Sequence, residues 1–181
     1  MHEEGAHRLN WGCGEWAVPG WVNSDLKEAE GVITCDILEG LPFESDSFDY
    51  VVSIHALPEI PYPDMVPVLR ELRRVLKPGG ILRLGLPDLE KAVDAYRQDD
   101  RAFFQISDDE MASIGGKLVA QLVWYGYSRT LFVRDFVEEL LLKAGFAQVH
   151  HVGYRETRSS EADIVTLDNR KRESLFVEAV R

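Results

Sequence analysis

The sequence lacks several things that would have placed it quickly. It has only two cysteines, Cys13 and Cys35, too few and too far apart for a disulfide framework or a zinc-ligand spacing. Each sits at a strand end, where a small apolar side chain serves as core filler. No apolar run approaches the roughly 20 residues that a membrane span needs. The opening MHEEGAHR has no apolar centre and does not read as a signal peptide, so a soluble cytoplasmic protein is expected. Positive charge is also scarce: 20 Lys and Arg stand against 31 Asp and Glu, a net of -11. That balance argues against a nucleic-acid backbone as partner, which needs a basic face. Arg70, Arg73, Arg74 and Lys77 cluster at helical spacing and read as a solvated helix face. Internal repeats and linkers rich in Pro, Gly or Ser are missing. So is an acidic cluster at metal-ligand spacing, and no metal is expected.

What is present is alternation. With 181 residues, 45% of them apolar, one α/β domain spanning 1–181 is the simple expectation. Order is expected everywhere except the first seven residues and the polar stretch Arg155–Arg172. Short extended runs cover Arg8–Trp11, Val22–Asp25, Gly31–Asp36 and Phe48–Ile54. From Asp64 to Leu76 the period becomes helical, with Met65, Val68, Leu69, Leu72 and Leu76 on one face and Asp64 as cap. Lys77-Pro78-Gly79-Gly80 stops that helix, and Ile81–Leu86 is a strand. Asp88 caps a second helix. Asp108–Trp124 is helical in pattern but interrupted by Gly115-Gly116, and Thr130–Ala144 is an amphipathic helix ended by Gly145. Ala147–Val152 and Glu173–Val180 close a mostly parallel sheet.

Chemistry concentrates at three successive strand ends. Gly12-Cys13-Gly14 follows the first strand, a turn that lets backbone approach a nucleotide-like ligand. Asp25 ends the second strand, where a carboxylate can accept both hydroxyls of a ribose. Asp36 ends the third, where it can receive the exocyclic amine of adenine, and Ile37 and Leu38 can pack on the base. Ligands of open α/β sheets bind outside the carboxyl ends of the strands, so the three ends belong together.

RLNWGCGEWAVPGWVNSD (Arg8–Asp25) resembles the first motif of class I S-adenosylmethionine (SAM)-dependent methyltransferases, closest to a compact bacterial group with a Gly-Cys-Gly turn followed by PGW and a strand ending in Asp. Leu41–Ile60 resembles that family's fourth-strand motif, Leu69–Leu89 its helix–KPGG–strand block, and Arg172–Val180 its last strand. The resemblance spans most of the chain except Arg97–Trp124. It implies a Rossmann-like, three-layer fold with seven strands, the last antiparallel. It also implies SAM as cofactor, with Gly12 and Gly14 at the methionine end, Asp25 at the ribose, Asp36, Ile37 and Leu38 at the adenine, Ser53, Ile54 and His55 between methionine and acceptor, and Cys13 and Leu26 as further cofactor contacts.

Two departures from the family pattern stand out. Glu15 and Trp16 occupy the neighbourhood of a third glycine, and the short stretch between Gly14 and Asp25 leaves no room for the usual long helix. After the fourth strand, where the compact group has an EHxLEH-like run, this chain has Ser53 to Ile60 and keeps only the first histidine. His55 is the candidate general base, since an ordinary imidazole suits proton abstraction near neutrality. Glu59 and Asp88 are weaker candidates, Asp88 being read first as a helix cap. His150 and His151 are expected to be structural. Acceptor specificity is expected from 97–134, a lid or cap carrying Phe103, Phe104, Trp124, Tyr125, Tyr127 and Arg129, with Gly115, Gly116 and Gly126 as hinges.

The function read from this is methyl transfer to a small-molecule or sugar-like acceptor by a monomer or homodimer. The altered run 53–60 keeps open an alternative: a catalytically impaired SAM-binding module serving as a partner or regulatory subunit. A nicotinamide oxidoreductase fits less well, because Ala17 breaks the Gly-x-Gly-x-x-Gly spacing.

Overall fold

A computed structural model describes residues 7–181, so nearly all of the expectation for an unordered N-terminus lies outside the described residues. The strands are β1 (Arg8–Trp11), β2 (Val22–Asp25), β3 (Ile33–Thr34), β4 (Phe48–Ile54), β5 (Leu76–Pro87), β6 (Gln148–Val152) and β7 (Ser174–Val180). The helices are α1 (Met65–Val75), α2 (Leu89–Arg97), α3 (Ile114–Val123) and α4 (Arg134–Ala144). The strands form one sheet in the order β3-β2-β1-β4-β5-β7-β6. The first five are parallel, and β7 runs antiparallel to both β5 and β6. The chain builds outward from β1 to β3 and then returns to place β4 on the other side of β1. A cleft opens at such a reversal because consecutive connections leave in opposite directions.

Side-chain alternation along β5 and β7 sorts two faces. Leu82, Leu84 and Leu86 join Leu175, Val177 and Ala179 in the main core with Val68, Leu69, Leu72 and Val75 of α1 and Val137, Leu140 and Leu141 of α4. Tyr50 and Val52 of β4 face the other way, with Ile164, and Trp21, Ile54 and Ile81 pack around them. The layer on that face therefore includes the segment around a short 3-10 turn, Ala162–Val165. This corrects the expectation for Arg155–Arg172. The stretch is held down by Arg83 of β5, a fully buried guanidinium that donates to Asp168 (2.8 and 2.5 Å), to its cross-strand neighbour Glu178 (2.7 Å) and to the Glu156 carbonyl (3.0 Å). The Arg155 and Arg158 amides donate to the same two carboxylates. Low local hydrophobicity suggested disorder; long-range charge pairing supplies the order instead.

Several boundaries shift for local reasons. β5 begins at Leu76 and absorbs Lys77 to Gly80, because Gly79 takes φ +77 and the chain pairs with β4 on both sides of the bend. Asp64 stands at the N-cap of α1 but its side chain caps nothing. Asp88 does cap α2, accepting from the Glu90 and Lys91 amides. α3 starts only at Ile114, capped by Ser113, so Gly115 and Gly116 fall in its first turn, where they interrupt nothing. α4 starts at Arg134, because Phe132 bridges to Asp88 and keeps that stretch extended. The arginine cluster of α1 is not simply solvated. Arg70 and Arg73 donate to the carbonyls of Lys143 and Gly145 at the C-terminal end of α4, where cations complement the helix dipole. Arg74 holds Glu71 and the carbonyls of Phe43 and Leu41, and Lys77 pairs with Asp49.

Candidate functional site

A cleft of about 830 Å³ opens at the carboxyl ends of β1, β2 and β4. Its floor is the Gly12 turn. Gly12 has φ +69, and its amide and that of Cys13 both donate to the Ser24 carbonyl of β2 (2.8 and 3.1 Å). A Cβ on Gly12 would sit 2.1 Å from the Cβ of Ala56, so only glycine fits between the turn and the segment after β4. The Gly14 amide donates to Asp25 Oδ2 (2.7 Å) and the Lys27 amide to Asp25 Oδ1 (3.0 Å). Asp36 accepts from the Leu38 amide (2.9 Å). Both carboxylates thus have their orientation set by backbone donors.

Two buried asparagines, not singled out in the sequence, replace the missing helix after β1. Asn10 and Asn23 are register partners on β1 and β2, joined by a 3.0 Å hydrogen bond. Asn10 also donates to the Trp16 carbonyl, and Asn23 donates to the Val18 and Trp21 carbonyls and accepts from the Val18 amide. Paired polar groups inside parallel strands would be costly if left unmade; here one bond joins the two strands and the others fasten the loop 12–21. Their cue was weak: one asparagine in each of two short strands.

The structure brings Gly12, Cys13, Gly14, Asp25, Leu26, Asp36, Ile37, Leu38, Ile54 and His55 to the wall of this one cleft. Ser53 is the exception. It is buried inside β4, its hydroxyl has no protein partner among the described residues, and it does not line the cleft. Strand alternation turns it away while Ile54 faces the opening. Ile37 lines the cleft only from within the core, whereas Leu26 and Leu38 are 67% and 52% exposed, large apolar groups left open beside the two carboxylates. Cys13 is buried, which raises its thiol pKa; Cys35 is only partly buried and lines the cleft, so it is more than filler.

His55 departs from its expected role. It follows β4 in a left-handed conformation (φ +62), held by its amide on the Gly85 carbonyl (2.8 Å). Nε2 lies 2.6 Å from the hydroxyl of Ser174. Burial first, and then the nearby Arg170 charge, push its pKa down to about 3. The imidazole is neutral at physiological pH and a poor proton acceptor, unlike the near-neutral base inferred from its residue type. Glu59, also on the wall, moves the other way: burial and the Asp25 charge raise its pKa against the opposing pull of Lys27 and Arg129.

The His55 shift has a measurable consequence. The unfolded chain binds this proton near pH 6.5 and the folded protein only near 3, so acidification through that window favours unfolding. His55 costs no stability above pH 6.5, and its contribution is expected to fall by about 1.4 kcal/mol per pH unit below it. Urea unfolding of wild type and His55→Asn at pH 7 and 4.5 checks this, since asparagine tolerates the left-handed backbone but does not titrate. The wild type should lose more stability than the variant; parallel losses would contradict the shift.

The far wall draws on the segment 97–134 expected to face the acceptor, joined by Asn169, Arg170 and Glu173 from the end of the chain. Trp124 and Tyr125 are consecutive left-handed residues (φ 42 and 56), followed by Gly126, a strained turn lining the cleft at Trp124 and Gly126. Arg170 lies 5.6 Å from the Trp124 ring centroid and pairs with Glu173 (3.1 Å), which also accepts from Gln105 (2.6 Å). Tyr127 and Arg129 complete this side.

Comparison with known proteins fits this geometry. A SAM-dependent methyltransferase from Thermotoga maritima superposes with a TM-score of 0.61, covering 97% of this chain and 82% of that one at 20% identity. This is the fold of the SAM-dependent methyltransferases. A second example is the Haemonchus contortus phosphoethanolamine N-methyltransferase 2 solved with SAM, which superposes at a TM-score of 0.56 and 18% identity, covering 98% of this chain and 49% of that one. Residues 20–84 match the model of a methyltransferase domain family. In sequence, the chain is 30% identical over 135 residues to a demethylmenaquinone methyltransferase of Staphylococcus carnosus, covering 68% of this chain and 55% of the relative. It is 31% identical over 130 residues to the Lysinibacillus sphaericus enzyme of the same name, covering 65% and 54%. The chain thus spans about half the length of these curated relatives. Among the described residues, no helix of this methyltransferase fold is long and apolar enough to cross a membrane.

Proposed function

We propose that the chain is a SAM-dependent methyltransferase acting on a small-molecule acceptor. The observation that carries this is the convergence of Gly12, Asp25 and Asp36, from three strand ends, on one cleft of about 830 Å³, within the size range of small-molecule sites. Asp25 and Asp36 keep lone pairs beyond those taken by backbone amides, which suits ribose hydroxyls and an adenine amine respectively. Exposed Leu26 and Leu38 flank them, as a flat apolar base requires. The Gly12–Gly14 turn, without side chains on its glycines, admits the methionine end.

SAM supplies a methyl group already made electrophilic by its sulfonium. The protein's share is to hold the acceptor in line and keep water out. Segment 97–134 supplies part of the acceptor wall through Phe103, Trp124, Tyr127 and Arg129. Where an acceptor must lose a proton, Glu59 serves better than His55, because its surroundings raise its proton affinity while those of His55 lower it.

Calorimetric titration tests the reading. SAM is expected to bind and NAD is not. Asp25→Ala should weaken SAM binding by about 2 kcal/mol, roughly 30-fold, because an ionised acceptor is removed and the Gly14 amide loses its partner. Unchanged affinity in that variant would refute the ribose assignment, and absence of SAM binding would refute the function.

A further inference from the structure

We propose that Ser174 is a positioning residue that locks His55 in its Nδ1–H tautomer, making His55 a neutral hydrogen-bond donor to an electron-rich oxygen of the acceptor. The proposal rests on the methyltransferase reading for the acceptor, but not for the tautomer.

The tautomer follows from counting donors and acceptors. Ser174 is 1% exposed, at the start of β7. Among the described residues, its hydroxyl makes one hydrogen bond, 2.6 Å to His55 Nε2. If Nε2 carried the proton and donated to Ser174 Oγ, the serine's own hydroxyl proton would be buried without an acceptor. Buried donors are almost always satisfied, so the serine donates and Nε2 accepts. A neutral imidazole that accepts at Nε2 carries its proton on Nδ1.

Both ends of this contact are fixed. The Ser174 carbonyl accepts from Lys91 Nζ (2.5 Å), and its residue pairs with Pro87 across the sheet. His55 is held by its amide on Gly85, and its left-handed backbone persists because both neighbours pin it. Nδ1 has no protein partner among the described residues and is not among the sealed, unpartnered nitrogens, while the residue lines the cleft. The nearby Arg170 guanidinium disfavours a positive charge on His55, and Glu173 and Lys91 are other charged groups close to the pair. The low proton affinity of His55 agrees with a group that donates without becoming charged. A neutral donor of this kind suits an acceptor that presents a carbonyl oxygen or an oxyanion, whose charge the hydrogen bond steadies while the methyl group moves.

The test is two-bond ¹H–¹⁵N correlation of the histidine rings in the full-length protein. His55 is expected to give the Nδ1–H pattern from pH 5 to 8. Ser174→Ala should abolish that single pattern, and Ser174→Thr, which keeps the hydroxyl, should restore it. An Nε2–H pattern in the wild type, or an unchanged pattern in Ser174→Ala, overturns the proposal. Titration with 4-nitrophenolate, and with 4-nitrotoluene as its counterpart without the oxygen, tests the donor role. The phenolate should displace the Nδ1–H resonance in the wild type but not in Ser174→Ala; equal or absent displacement by both probes overturns that role. Failure of SAM to bind, with the Nδ1–H pattern intact, would remove the methyltransferase reading and leave the tautomer standing.

Discussion

Arg83→Met is expected to destabilise the fold by about 3–5 kcal/mol, because it leaves two buried carboxylates, Asp168 and Glu178, without their cation. For a chain of this length that corresponds to a fall in Tm of roughly 6–20 °C. The effect goes beyond lost packing. Met replaces most of the apolar stem, but the side chains of Asp168 and Glu178 are at most 2% exposed and have no solvent to turn to. Replacing all three together, as Arg83→Met with Asp168→Leu and Glu178→Leu, should recover much of the loss, since a matched apolar set often substitutes for a buried ion cluster. The backbone amides of Arg155 and Arg158 would then lose their carboxylate acceptors, so segment 155–168 should remain easier to cleave with protease than in the wild type. Thermal melts and limited proteolysis of the single and triple variants read both effects. A loss under 1 kcal/mol in Arg83→Met would show that the cluster does not hold the segment.

Gly12→Ala should be nearly as damaging and should strike the cleft directly. Its new Cβ meets the Cβ of Ala56 at 2.1 Å, and neither atom belongs to a flexible side chain that can move aside. Overpacking of this kind costs about 1–3 kcal/mol, and the left-handed backbone adds about 1–2 kcal/mol. To relieve the contact, the turn must withdraw from the segment after β4 and from the Ser24 carbonyl, which deforms the floor of the cleft. SAM affinity is expected to fall more than about tenfold, in line with the energies just given. Gly14→Ala is the internal comparison. Gly14 also has positive φ (+53), but no protein atom lies within 4 Å of its Cβ position, so its melt should show the backbone cost alone. Melting of the two variants separates steric approach from strain, and SAM calorimetry on Gly12→Ala reads the damage to the cleft. Equal behaviour would mean that Ala56 does not fix the identity of residue 12.

The two variants probe different depths of legibility. The Gly12 turn was readable because its chemistry is local: a glycine pair after a short strand, with carboxylates at the next two strand ends. Asp88 was readable as a cap for the same reason, since an N-cap bonds amides two and three residues ahead. Arg83 was hidden. Within ILRLGL it looks like an outward-facing strand residue, and nothing near it announces acids 85 and 95 positions further on. His55 was visible as a site residue but misread in character. A histidine's ordinary pKa is a property of its residue type, whereas its shift depends on burial and on Arg170, which arrives from the far end of the chain. Ser53 was misplaced by a single position, enough in a strand to turn a side chain to the opposite face.

The amino-acid order alone determined the alternating elements and the glycine and aspartate strand ends, because period and turn chemistry are short-range properties; the strand order that sets those ends side by side came from the tertiary structure. Only the tertiary structure decided what the cleft's polar groups can do. The serine that orients His55 lies 119 residues from it, and the acids that balance Arg83 lie almost as far. Protonation state, tautomer and buried charge balance depend on which atoms meet in space, and chain proximity carries no information about meetings at that distance.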